Sequence, residues 1–232
     1  EYILKVGKKF SIPSIRIEHI TPKIIQLLEK CGVRTITIAP ETGTESLRYN
    51  LGKKISNDKI LDVLSLIKES GIKNVKFYFL IGLPNESDED IEGIIRFFQL
   101  IEKIGFKHNE LRVNINPFIP KLNTPYENQC YYYLSENLNN FRLKFNTLKQ
   151  ELNKISSIKI KFKEPKRIIN NARLQALFSL GDRNISNLLI AYYFNGANMG
   201  ALRRAEKDLD FSIDNYFKKI QDGYKPWNFS NK

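Results

Sequence analysis

The sequence predicts an α/β fold, in which part of an α/β barrel is followed by a small helical appendage. Two junctions and one change of pattern indicate this. A β-branched run at 35–39 leads through Pro40-Glu41-Thr42-Gly43 into helix-like sequence, and a run at 75–81 leads through Gly82-Leu83-Pro84 into another helix. After residue 165 the apolar spacing is helical only. Buried strands that end in polar, glycine-containing loops and continue as helices are βα units of a parallel sheet.

The βα units follow one another along the first two thirds of the chain. A strand end is predicted over 12–18, and Thr21-Pro22 then supplies an N-cap and a first-turn proline for a helix that ends at Gly32. Ser56 and Ser87 are predicted N-caps of two later helices. The remaining strands are predicted at 35–39, 75–81, 111–116 and 158–162, and the remaining helices at 44–51, 56–70, 87–104 and 135–155.

The last part of the chain is predicted to contain helices over 166–179, 185–194, 199–207 and 212–221. We therefore place a domain boundary near residue 164, with residues 1–164 as the α/β part and residues 165–232 as the helical appendage. Right-handed crossovers turn repeated strand–helix units into a parallel, curved sheet. Ligands bind at the carboxyl ends of such strands, so the loops after 35–39 and 75–81 mark the predicted active face.

Charge and hydropathy limit the possible partners. The chain carries 37 Lys and Arg residues against 25 Asp and Glu residues, a net charge of +12. This excess favours a polyanionic partner such as RNA, although a lysine-rich composition with solvated lysines explains it as well. No apolar run is long enough to cross a membrane, and no segment resembles a signal peptide. We therefore expect a cytoplasmic protein with no membrane partner.

Several site classes are disfavoured by missing motifs. GxxxxGK[ST], GxGxxG, HExxH and GxSxG do not occur, which argues against nucleotide hydrolysis, a Rossmann dinucleotide site, zinc proteolysis and serine hydrolysis. Cys31 and Cys130 are far apart and have no metal-ligand spacing. Each is expected to be a structural thiol in a reducing compartment, and we predict no metal ligand within this chain.

Candidate binding residues follow the strand at 35–39. The Glu41 carboxylate could hydrogen-bond a ribose hydroxyl, and Gly43 would let a ligand approach the backbone. Alternatively, Glu41 and Thr44 only cap the following helix. Gly82 comes directly after the strand at 75–81, where a missing Cβ leaves room for a flat ligand, although a plain βα turn explains it equally well.

A further candidate pair lies on the predicted strand end at 12–18. Ser14 and Arg16 point to the same side of an extended segment. Arg16 could bind a carboxylate in bidentate fashion. Alternatively, it forms a rim ion pair with Glu18 that contributes little. No catalytic residue can be named from these patterns.

Three of these loops together resemble the radical S-adenosylmethionine (SAM) superfamily. Residues 41–46, Glu-Thr-Gly-Thr-Glu-Ser, resemble the family's ESGS segment after the fourth strand. Residues 79–90 resemble its fifth-strand segment of the form GlPgEt, and residues 117–126 resemble its sixth-strand proline-rich element. The segment 11–20 matches as well, so the resemblance covers roughly residues 10–128. The order and separation of these segments are more specific than any one of them.

The resemblance implies a partial (β/α)6 barrel of the TIM type, of which this chain holds the C-terminal strands. It implies a 4Fe–4S cluster and SAM at the barrel rim, with reductive cleavage of SAM to a 5′-deoxyadenosyl radical. Carried over position by position, the residues that would contact SAM are Ser14, Arg16, Glu41, Thr44, Ile81, Gly82, Leu83, Val113, Asn114 and Asn116. Within the superfamily, the variants at 14–16, 39–41 and 179–183, with Pro226-Trp227, are similar to a subgroup often fused to a cobalamin-binding-like domain.

The chain departs from the family at one decisive point. The CxxxCxxC motif that supplies three cluster ligands is absent, and so is the second-strand GGE segment. We therefore expect a fragment that is inactive alone, whose missing N-terminal half carries the cluster ligands and, in some parents, cobalamin. The parent enzyme could transfer methyl or methylthio groups to RNA or to a small heterocycle. The alternative is a non-catalytic, barrel-derived binding protein that lacks the cluster.

Overall fold

The computed structural model describes residues 2–10, 12, 14–160, 164–198 and 200–226. Within these residues the strands are β1 (Thr35–Glu41), β2 (Asn74–Ile81), β3 (Leu111–Pro117) and β4 (Ile158–Ile160). The helices are α1 (Tyr2–Lys5), α2 (Pro22–Lys30), α3 (Glu45–Asn50), α4 (Asn57–Glu69), α5 (Asp88–Glu102), α6 (Leu138–Leu152), α7 (Pro165–Leu180), α8 (Ile185–Phe194), α9 (Ala201–Asp208) and α10 (Ile213–Gln221). Predictions that involve residues 161–162, Met199 and Trp227 lie outside the described residues.

The strands form one sheet in the order β1-β2-β3-β4. β1 pairs in parallel with β2, with Ile36 opposite Val75, and β3 pairs in parallel with β4, with Leu111 opposite Ile158. Helices connect successive strands, because parallel neighbours need a crossover of this kind. The structure confirms the predicted α/β class with a parallel sheet.

The predicted strand end over 12–18 is wrong. The segment Ile17–His19 is a 3-10 helix, in which the His19 N–H donates to the Arg16 carbonyl at 3.0 Å. Ile17 and Ile20 are each only 2% exposed. The two isoleucines are three positions apart, so a helical turn buries both on one face, which an extended strand would not do.

The helix N-caps were predictable from local sequence. The Thr21 side chain accepts a hydrogen bond from the Ile24 N–H at 3.3 Å, and Pro22 occupies the first turn of α2. Ser87 and Asp90 form a capping box at the start of α5. Such bonds satisfy backbone donors that the helix itself leaves unpaired.

An aromatic cluster fixes α5 on one face of β2. Phe77 and Phe79 alternate along β2 and contact Phe97 and Phe98 of α5, with ring centroids 5.1 to 6.1 Å apart across the two elements. All four side chains are at most 1% exposed. Because side chains alternate across a strand, the residues between these phenylalanines lie on the opposite face of the sheet.

The chain divides into two compact units, residues 1–116 with 144–162 and residues 117–143 with 163–232. The first contains the sheet up to Asn116. Inside the second, Arg173 Nη2 lies 2.5 Å from Asp214 Oδ1, and Arg173 Nε donates to the Tyr133 carbonyl at 2.8 Å. A domain boundary near residue 164 stays a prediction. In the part of the chain that the structure describes, no helix has the length and apolar character needed to span a bilayer.

Candidate functional site

Glu41 ends β1 in a backbone conformation that few side chains adopt. Its φ is +69°, in the left-handed region, and the β1–β2 register shifts between Ile38 and Glu41. The carboxylate Oε1 lies 2.5 Å from Lys53 Nζ, which also donates to the Ala39 carbonyl at 3.1 Å. The Glu41 side chain is 21% exposed, so a ligand can still reach the carboxylate.

Arg48 holds the backbone on both sides of Glu41. Its side chain is 0% exposed, Nε donates to the Pro40 carbonyl at 3.2 Å and Nη2 donates to the Thr42 carbonyl at 3.0 Å. Nη1 donates to the Ile55 carbonyl at 2.9 Å. Burial lowers the pKa of Arg48 from its ordinary value, yet a guanidinium remains charged at neutral pH. The strand end that presents Glu41 is therefore fixed by a buried cation.

Thr44 is a helix cap in this structure, as the structural alternative predicted. Its hydroxyl accepts a hydrogen bond from the Leu47 N–H at 3.4 Å and donates to Asp90 Oδ1. The expectation that Gly43 leaves room for a ligand is wrong. An added Cβ at Gly43 would overlap the backbone of α5, including the Gly93 carbonyl carbon at 2.5 Å. The position that a side chain at Gly43 would take is therefore filled by α5.

The loop after β2 is held by a buried carboxylate. Gly82 has φ +80°, and its N–H donates to Glu86 Oε2 at 2.9 Å, as does the Leu83 N–H at 3.4 Å. Glu86 Oε1 lies 2.8 Å from Lys144 Nζ, and the two side chains are 1% and 7% exposed. Burial raises the pKa of Glu86 above its ordinary value, and the Lys144 ammonium opposes this rise. The loop is thus anchored from inside the protein.

We expect Lys144→Met to destabilise the protein by about 2 kcal/mol at pH 7, since a buried carboxylate loses its cation. The variant raises the folded-state pKa of Glu86 further. A raised folded-state pKa means that the folded protein favours protonated Glu86. The loss of unfolding free energy is therefore small below the pKa of glutamate in the unfolded chain, about 4.3, and grows as the pH rises. Urea unfolding at pH 4 and pH 7 measures the difference. The double variant Glu86→Gln with Lys144→Met should recover most of the lost stability. Equal losses for Lys144→Met at both pH values would mean that Lys144 does not act by compensating the Glu86 carboxylate.

The apolar side chains predicted to contact SAM point into the core. Ile81 is 0%, Leu83 is 2% and Val113 is 0% exposed. These values cover backbone and side chain alike, so the three residues expose almost no surface to a ligand in this structure. Asn114 is half-buried and its amide donates to the Phe77 carbonyl at 3.4 Å, whereas Asn116 is exposed at the end of β3.

Ser14 and Arg16 both precede the 3-10 helix at Ile17–His19, and both side chains are exposed. The prediction that they lie on a strand end is therefore wrong. Glu41, Gly82 and Asn116, in contrast, each follow or end a neighbouring parallel strand. These three form the candidate rim. Sequence reasoning missed the buried Arg48 and Lys144, whose only local signal is a basic residue within an apolar helical pattern.

The cysteines do not provide cluster ligands. Cys31 is 5% exposed and Cys130 is 0% exposed, and burial raises the pKa of Cys130 to about 12. A thiol with that pKa is protonated at neutral pH, whereas iron binds the thiolate. Among the described residues no group of three or more His, Cys, Asp or Glu side chains could hold a metal ion.

Two of the surface pockets are not lined by the rim residues Glu41, Gly82 and Asn116. One of about 340 Å³ is lined by Thr124, Glu127, Tyr224 and Lys225 within the second unit. Another of about 280 Å³ lies beside Gly93 between helices of the first unit. Neither pocket is lined by Glu41, Gly82 or Asn116, and the rim remains the better candidate because of its position in the sheet.

Comparisons with known proteins agree with the motifs. An uncharacterized protein of Methanocaldococcus jannaschii is 29% identical over 218 residues, which cover 94% of this chain and 44% of that protein. A second protein of that organism, named as a candidate methylthiotransferase, is 24% identical over 86 residues, which cover 37% of this chain and 19% of that protein. The chain thus spans less than half the length of these relatives. Residues 4–98 match the family model of the radical SAM superfamily, so this part of the chain is similar to that superfamily.

Proposed function

We propose that this chain is part of a radical SAM enzyme and that SAM binds at the rim formed by Glu41, Gly82 and Asn116. One observation carries the proposal. Within the segment that matches the superfamily, a strand ends in a glutamate with φ +69°, and the next strand is followed by a glycine with φ +80°. Non-glycine residues in the left-handed region, such as Glu41, cluster at functional sites, and ligands of parallel sheets bind beyond the carboxyl ends of the strands.

The rim fits the polar groups of SAM in part. The Glu41 carboxylate can accept hydrogen bonds from two ribose hydroxyls, and the Asn116 amide can pair with an adenine edge. Gly82 is buried and its N–H is held by Glu86, so it would contribute through the shape of the loop. Thr44 and the side chains of Ile81 and Leu83 fit less well, because the first is engaged with Asp90 and the others are buried. Their contribution to binding would be through the shape of the rim.

The residues of this chain do not fit a 4Fe–4S cluster. Cys31 and Cys130 are buried thiols, and three thiolates are needed. We therefore propose that the cluster ligands belong to a longer protein that includes this chain. Cobalamin in that protein is a further proposal for which these residues provide no ligand.

The reaction we favour for the longer protein is methyl or methylthio transfer to RNA or to a small heterocycle. The name of one relative and the net charge of +12 support a transferase with an anionic substrate. The experiment is to express the full-length protein anaerobically, reconstitute it with iron and sulfide, and assay 5′-deoxyadenosine under dithionite. Formation of that product supports the enzyme. A folded protein that binds SAM without cleaving it would favour a non-catalytic binding protein, which is the second candidate because the cysteines described here are unsuited to a cluster.

Glu41→Gln in the full-length protein is expected to weaken SAM binding about tenfold, because a neutral amide accepts weaker hydrogen bonds from the ribose. Isothermal titration calorimetry with SAM measures the change, and the melting temperature reports the fold. Glu69→Gln, an exposed acid at the end of α4, is the matched control and should change neither. Unchanged SAM affinity in Glu41→Gln with wild-type stability would remove Glu41 from the site.

A further inference from the structure

Three cationic side chains lie side by side on adjacent strands. Arg112 of β3 pairs with Lys159 of β4. The Val75 N–H donates to the Glu110 carbonyl at 3.0 Å, and in a parallel ladder this bond places Lys76 of β2 beside Arg112. Lys76, Arg112 and Lys159 therefore form one row across the sheet, which we name the cation row.

The cation row lies on the face of the sheet opposite to α5. The phenylalanine Phe77 next to Lys76 packs on α5, so Lys76 points the other way. Arg112 and Lys159 are exposed and Lys76 is half-buried. With neighbouring strands about 4.8 Å apart, the row spans about 10 Å, short enough for three long side chains to converge on one ligand.

Like charges at paired positions destabilise a sheet, so a row of three cations needs an explanation. The Lys76 ammonium lies 4.6 Å from the Tyr78 ring centroid, which compensates one charge in part. Among the ion pairs of the described residues, none includes Lys76, Arg112 or Lys159. Glu41, the acid at the end of β1, is already paired with Lys53. Within the described residues, no ion pair compensates the charge of the row.

We propose that the cation row binds a small ligand with a di- or triphosphate group, at a site separate from the SAM rim. A triphosphate carries enough negative charge to match three cations, and the Arg112 fork can take two phosphate oxygens at once. Thr37, which pairs with Lys76, extends the row with a hydroxyl donor. The proposal rests on the register of the strands and not on SAM binding. The proposed phosphate site and the proposed SAM site can therefore be tested independently.

The probe is inorganic tripolyphosphate, titrated calorimetrically into the full-length protein at 50 mM and 200 mM salt. We expect Arg112→Gln to weaken binding about tenfold, and Lys76→Gln and Lys159→Gln about fivefold each. Lys59→Gln, within α4, and Lys103→Gln, directly after α5, remove the same charge from exposed positions and should change affinity less than twofold. In the absence of ligand, Arg112→Gln should unfold at the same or a higher temperature, because a repulsion is removed.

Two outcomes would overturn the proposal. The first is no tripolyphosphate binding, or equal losses in the row and control variants, which would mean that only the overall charge acts. The second is binding of a single-stranded RNA oligonucleotide through the row without binding of tripolyphosphate, which would make this face a nucleic-acid surface. SAM affinity is measured in the same variants. Unchanged SAM binding without tripolyphosphate binding would contradict only the phosphate site and not the SAM site at the rim.

Discussion

Gly43→Ala is expected to destabilise the protein by at least about 3 kcal/mol, although it adds a single methyl group. The added Cβ would overlap the backbone of α5 at the Ile94 nitrogen, the Asp90 oxygen and the Gly93 carbonyl carbon. Backbone atoms cannot change rotamer, so α5 has to shift as a whole, and the aromatic packing of α5 on β2 would shift with it. Urea unfolding at pH 7 measures the loss.

Gly105→Ala separates this steric effect from the general cost of replacing glycine. Gly105 has φ +84° and nothing within 4 Å of an added Cβ. Its replacement should therefore cost only the strain of a left-handed side chain, about 1 to 2 kcal/mol. Gly43 does not have a positive φ, so its cost is contact alone. A loss at Gly43 no larger than that at Gly105 would mean that α5 is more loosely held than the structure indicates.

The sequence predicted the elements whose signals are local. The β-branched run at 35–39, the alternating run at 75–81 and the caps Thr21 and Ser87 are each read within a few residues, and each is present. The segment before α2 was mistaken for a strand, because alternation over so few residues fits a buried 3-10 turn equally well. Local pattern suffices for long elements and fails for short ones.

The site was predictable only in its position. Glu41 lies at a strand end, as expected, and this position follows from the parallel sheet. The positive φ of Glu41 was not predicted. The ion pair between Glu41 and Lys53 joins residues 12 positions apart, and the ion pair between Glu86 and Lys144 joins residues 58 positions apart. No local pattern encodes such contacts, because they depend on how the helices pack. The same reason explains why Gly43, read as an opening for a ligand, is filled by α5.

The sequence gives the net charge but not the positions of the charged side chains in the fold. The net charge of +12 is compatible with lysines spread over solvated helix faces. Only the strand register shows that Lys76, Arg112 and Lys159 share one row, because their alignment depends on which residues pair across three strands. The distribution of the charge, and not its sum, therefore distinguishes a binding surface from a merely basic protein.

Arg48→Met is expected to destabilise the protein by about 3 to 4 kcal/mol, because the buried acceptors lose their donors together. The guanidinium donates to the carbonyls of Pro40, Thr42 and Ile55, and Nη2 also donates to Asn57 Oδ1 at 3.0 Å. Methionine keeps an unbranched apolar side chain and removes a buried charge, which offsets part of the loss. Chemical unfolding at pH 7 gives the free energy.

Two comparison variants decide whether geometry or charge carries the effect of Arg48. Arg48→Lys keeps the cation but cannot reach acceptors on separate segments at once, so it should lose about half as much as methionine. Arg96→Met removes an exposed arginine whose ion pair with Glu92 spans 3.3 Å, and it should cost less than about 0.5 kcal/mol. If Arg48→Lys is as stable as the wild type, a buried charge alone holds the loop. If it is intermediate, the fork fixes the strand end, and SAM affinity should then fall in both Arg48 variants, because Pro40 and Thr42 set the backbone of Glu41.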